Sequence, residues 1–178
     1  MTSSQVAYLA LILAVAAIRL VELAISRRHQ RRLEARGAFE VGAGHYPVMV
    51  ALHTGLLLAA PAEVLLLDRP FIPGLGWPML ALLAATMALR WWVIATLGER
   101  WTTRVIVLPG APLVTAGPYH RLRHPNYLAV AFEIVALPLV HTAWWTATAF
   151  GLANLWLLAH RIGVEESALG DTETPLEL

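Results

Sequence analysis

The chain has 178 residues, of which 58% are hydrophobic and only 14% charged, with a formal net charge of +1. That is too apolar for a soluble domain of this length and reads as an integral membrane protein, a single domain over residues 1–178. The small net charge speaks against a nucleic-acid partner, and the absence of cysteine excludes disulfides, thiolate catalysis and Cys-ligated zinc.

The first apolar run, residues 4–25, is long enough to cross a hydrocarbon core of roughly 30 Å. It lacks the basic start and the small-residue cleavage site of a signal peptide. Arg19 and Glu22, three apart, share a helical face and are expected to pair near the helix end, with Arg19 reaching for the interface. Ser26 to Gly44 is polar and carries Arg27, Arg28, Arg31, Arg32 and Arg36. By the positive-inside rule this segment is cytoplasmic and the N-terminus lies outside. The helix is expected to continue amphipathically towards Gly37.

A second span covers residues 46–67, with Pro47 in its first turn. His53 and Glu63 interrupt it, and a lone intramembrane carboxylate needs a partner or a cavity. Asp68 to Gly76 reads as an external turn from its Pro and Gly content. The third span covers residues 77–97. Trp91 and Trp92 suit interfacial anchoring, Arg90 either snorkels or enters a site, and Gly98 ends the helix. In the following connection, Thr103 to Leu108 has strand-like composition, and Pro109-Gly110 is a turn signal. Residues 127–140 and 142–160 read as two helices forming a hairpin. The expected fold is thus all-α, with about five transmembrane helices and a cofactor site on the cytoplasmic side.

Two polar clusters carry the chemistry. The first lies within Leu113 to Tyr127, where Gly117-Pro118-Tyr119 and Arg123-His124-Pro125-Asn126-Tyr127 sit between apolar segments. Gly117 and Pro118 permit a sharp turn. Pro125 disfavours helix at His124 and suits a helix start at its own position, leaving free amides for a carboxylate or another polar group. Tyr119 and Tyr127 present flat faces suited to an adenine or a sulfonium. The second cluster is Arg161, Glu165 and Glu166. Arg161 and Glu165 share a helical face, and Arg161 offers a bidentate grip on a carboxylate. Taken alone, each cluster also fits a plainer reading, an anchoring loop and a helix-end ion pair. A metal site is not expected: His120 and His124 are four apart, but Pro125 makes that stretch poorly helical.

In this order, Leu113-Val114-Thr115-Ala116-Gly117-Pro118-Tyr119, Arg123 to Tyr127, a helical hairpin, then Arg161, Glu165-Glu166 and Leu169 resemble the isoprenylcysteine carboxyl methyltransferase family. The resemblance covers roughly residues 101–169. It implies an integral membrane enzyme using S-adenosylmethionine. It further implies a cofactor pocket lined by Leu113, Val114, Gly117, Tyr119, His124, Pro125, Asn126, Tyr127, Glu165 and Glu166, with Arg161 facing the acceptor's acidic oxygen. The family often has Gly where this chain has Ala129. The segment from Trp101 to Gly110 resembles a bacterial branch linked to O-methylation of alkylpyrones. All 13 basic residues are arginine, which points to a GC-rich, bacterial genome and hence an inner membrane. The acceptor is then a lipophilic small molecule or lipidated substrate drawn from the membrane. A phospholipid N-methyltransferase is the alternative; a non-enzymatic assembly factor or small transporter is the second. A transporter would place its polar groups near mid-membrane, whereas the two clusters lie at one interface.

Overall fold

A computed structural model describes residues 1–173 of the chain, with side chains as far as residue 168. It contains five helices: α1 (Ser3–Glu34), α2 (Tyr46–Leu66), α3 (Pro73–Leu97), α4 (Pro125–Leu139) and α5 (Trp144–Glu173). Among the described residues, α1, α2 and α3 are long and apolar enough to cross a membrane, and α4 is a shorter apolar helix. These mark a multi-pass membrane protein. Leu13, Leu58, Leu66, Trp145, Leu152 and Trp156 stand exposed on its flanks, as lipid-facing side chains do. α1 continues well past its apolar run, as expected of the basic segment. Leu169's side chain and most of the tail after Gly170 fall outside the described residues.

The fold is not purely helical. β1 (Phe39–Val41) pairs antiparallel with β2 (Val105–Val107), with Glu40 opposite Ile106. The strand-like composition near Thr103 to Leu108 anticipates β2. Its partner lies in the segment read as a basic cytoplasmic loop, because three residues carry too little periodicity to be recognised. A second correction concerns the Asp68–Gly76 turn. α3 already begins at Pro73, whose fixed φ and missing N–H suit the first helical position.

At the end of the molecule opposite the arginine-rich segment, Thr2 and Gln5 form a capping box on α1, and Gln5 donates to Asp68 at 2.9 Å. Glu63 also resolves here. Its carboxylate accepts from the amides of Trp145 (3.2 Å) and Thr146 (2.7 Å), and Arg69 lies 2.9 Å away. Those amides are in the first turn of α5, which has no partners of its own for them. Glu63 is therefore a cap delivered from another helix. α4 packs between α3 and α5. The core beneath them includes Ile134, Leu137, Val64 and Leu157.

Candidate functional site

α4 starts where the local sequence requires. Pro125 occupies the first helical position and is fully buried, while His124, the residue before it, has φ −128° and makes no side-chain cap bond. The His124 ring stacks on Tyr127 with centroids 5.6 Å apart, and its Nε2 lies 3.1 Å from Glu166. The Tyr127 hydroxyl donates to Glu165. Burial, and secondarily the Glu165 charge, pushes the Tyr119 phenol well above its ordinary pKa, so it stays a neutral donor.

α5 presents one face to this cluster: Asn154, Leu157, Leu158, Arg161 and Glu165 follow at helical spacing and line a common cavity. The Arg161 guanidinium lies 5.7 Å over the Tyr127 ring, donates to the Thr103 carbonyl at 3.0 Å and touches the Met49 sulfur. Its Nε is buried with no partner. The Asn126 side-chain oxygen is buried and unpartnered in the same way. Such atoms carry a desolvation cost that an incoming polar group relieves.

The third wall is the backbone from Trp101 to Val107. α1 holds it in place. The Thr103 amide donates to Ser26 Oγ at 2.8 Å, and His29 Nδ1 lies 2.9 Å from the Trp101 carbonyl. Arg104 binds Glu40 through two bonds of 2.6 and 2.8 Å and sits 3.8 Å over the Tyr46 ring. The sheet thereby ties the end of α1 to the start of α2. The cavity measures about 480 Å³ and is mainly apolar.

Of the residues singled out from the sequence, Tyr119, His124, Asn126, Tyr127, Arg161 and Glu165 line this cavity together. Leu113, Val114, Gly117, Pro125 and Glu166 do not. Leu113 is exposed, Glu166 supports His124 from outside, and Pro125 supports α4 from within. Gly117 adopts φ +57°, and a Cβ there would meet the Thr96 side chain of α3 at 2.5 Å. Its close approach is to the protein. The sequence reading missed Tyr46, Met49, Trp101 and Thr102 as lining residues. Only Trp101 and Thr102 had a signal, their place at the start of the strand-like connection.

Deeper in, Arg19 and Glu22 do pair, and Arg19 turns inward to α4 instead of snorkelling outward. Glu22 also accepts from Arg90 Nε at 3.0 Å, and Glu133 takes Arg19 at 3.2 Å and Arg90 at 3.3 Å. Arg90 is buried, which decides between snorkelling and entering the site.

A family model for the isoprenylcysteine carboxyl methyltransferase (ICMT) family matches residues 79–171. An uncharacterized protein of Bacillus subtilis, YpbQ, is 36% identical over 85% of this chain and 89% of its own. An uncharacterized protein of Haemophilus influenzae is 33% identical over 87% of this chain and 90% of its own.

Proposed function

The chain belongs to the isoprenylcysteine carboxyl methyltransferase family, and from that premise we propose that it is an S-adenosylmethionine-dependent O-methyltransferase. Its acceptor is a lipophilic molecule bearing an acidic oxygen, an isoprenylcysteine-type carboxylate or an alkylpyrone-type enol. The observation that carries this reading is one cavity joining a polar mouth to an apolar interior. Tyr119, Asn126, Tyr127, Arg161 and Glu165 form the mouth, and Leu23 of α1, Leu57 of α2, Val130 of α4 and Leu157 of α5 form the interior wall.

The mouth fits the cofactor chemically. The uncapped start of α4 suits a carboxylate. Asn126 and Glu165 supply acceptors for an amine or a ribose, and Tyr119 supplies an electron-rich face for a sulfonium. When bound, S-adenosylmethionine supplies the methyl group from its sulfonium. Arg161 holds the acceptor's oxyanion through its free Nε and orients it for in-line attack. A carboxylate or acidic enol is already ionised near neutral pH, so no strong base is required. The residues contribute position and exclusion of water. The arginines at 27–36 and 121–123 lie at the mouth's end of the molecule and Arg69 at the other. The positive-inside rule then places the mouth and C-terminus in the cytoplasm, at a bacterial inner membrane, and the N-terminus outside.

The test is calorimetric binding of S-adenosylhomocysteine to the purified full-length protein in detergent. Saturable binding is expected, weakened about tenfold in Glu165→Ala through loss of a charged hydrogen-bond acceptor. No binding by folded protein would overturn the reading.

A further inference from the structure

Each of the five helices brings a polar side chain to one level of the molecule. Arg19 and Glu22 come from α1, His53 from α2, Arg90 from α3, Glu133 from α4 and Asn154 from α5. Counted from the mouth-side ends of α2, α3 and α4, and from Arg161 on α5, each lies about two helical turns in, roughly 10 Å at the rise of an α-helix. All except Glu133 line the cavity directly. Polar groups at that depth are expensive unless paired or used.

The pairing within this layer is incomplete in a particular sense. Two arginines and two glutamates cancel in charge, and their bonds use Glu22 Oε2 and Glu133 Oε2. Glu22 Oε1 and Asn154 Oδ1 are buried without a partner, in side chains 2% and 1% exposed. His53 Nδ1 lies 2.9 Å from the Met49 carbonyl, which can only accept, so Nδ1 carries the proton and Nε2 is left an acceptor. Against these three acceptors, Arg19 Nε is a buried free donor. The unmet need is for donors without net charge, and a hydroxyl group meets it.

We propose that this layer is a second polar subsite that recognises a hydroxyl on the acceptor's chain, roughly 10 Å from the oxygen that is methylated. The proposal rests on the methyltransferase reading and names its substrate class: a lipophilic acid carrying a mid-chain hydroxyl, rather than a plain hydrocarbon tail. The hydroxyl hydrogen goes to Asn154 Oδ1, Glu22 Oε1 or His53 Nε2, and its oxygen accepts from Arg19 Nε. Beyond the layer the tail leaves between α1 and α2, past Ala16 and Leu57. A plain tail would leave Glu22 Oε1, Asn154 Oδ1 and Arg19 Nε buried and unmet.

The experiment uses the full-length protein in detergent, saturated with S-adenosylhomocysteine, with tritiated stearate as tracer in a scintillation proximity assay. The competitors are stearate, a hydroxystearate with its hydroxyl at mid-chain, and an isomer with its hydroxyl near the chain end. The mid-chain isomer should compete about tenfold better than both others, the worth of satisfying one buried polar group. Asn154→Leu and His53→Phe should abolish that preference while S-adenosylhomocysteine affinity, read at the mouth, stays at the wild-type value. Equal competition by all three acids, or a preference retained in both variants, overturns the subsite and leaves the methyltransferase reading standing. Failure of the wild-type protein to bind S-adenosylhomocysteine overturns that reading and the subsite with it.

Discussion

Gly117 holds φ +57° with the Thr96 side chain where a Cβ would be. Gly117→Ala should therefore cost about 1–2 kcal/mol from the left-handed backbone, and more from the clash. A thermal melt of Gly117→Ala should show a lower Tm, partly restored by adding Thr96→Ala, which relieves the clash and leaves the backbone cost. Arg161 sits differently. Its Nη2 is committed to the Thr103 carbonyl, but its Nε is free and its guanidinium lies over Tyr127. Arg161→Ala should reduce kcat/KM for a lipophilic acid about 100-fold, the usual loss when one preorganised donor to a charged oxygen is removed. Arg161→Lys should recover little of it, since an ammonium lacks the planar fork. Unchanged kcat/KM in Arg161→Ala would exclude it from the chemistry.

At the scale of elements, two connections tie the helices together, and the first of them builds the site. The three-residue pairing of β1 with β2 holds the Trp101–Val107 wall against α1 and α2. Ile106→Pro places a fixed φ and a pyrrolidine ring in the middle of the three-residue β2. It should weaken S-adenosylhomocysteine binding while helical circular dichroism is retained. The other connection is the Glu63 carboxylate on the first turn of α5. Glu63→Ala leaves two amides and Arg69 without their acceptor and should cost about 1–3 kcal/mol, read as a lowered Tm in detergent. S-adenosylhomocysteine affinity should not change, because the mouth lies at the opposite end of α5.

For the whole molecule, the dominant feature is a neutral set of four charges shared by α1, α3 and α4. Removing one carboxylate leaves a buried guanidinium pair under-compensated, so Glu133→Ala should cost about 3–5 kcal/mol. Arg90→Met combined with Glu133→Leu should be milder than the sum of the singles, because it removes a pair rather than half of one. A double-mutant cycle on Tm measures this, and simple additivity would show that the two residues are not coupled. The same set places polar groups deep within the helix bundle. At the far end, the Gln5–Asp68 and Thr142–Pro70 hydrogen bonds tie the helix ends to the α2–α3 connection.

By itself the sequence determined what local chemistry controls. Apolar run length found the three long spans, Pro125 set the start of α4, and helical spacing put Arg161 and Glu165 on one face, where the structure finds them lining one cavity. Strand-like composition located β2 but not β1, because a strand's partner is a long-range fact. Glu133 stands alone among apolar residues, which is itself a signal, yet nothing in its own segment names Arg19 or Arg90 as its partners. Only the tertiary structure turned Glu63 into a cap, Gly117 into a packing residue and six scattered polar residues into one layer. The reason is the same for each. Pairings between helices depend on depth and rotation in the bundle, which are set by packing and are not written in the spacing of any single helix.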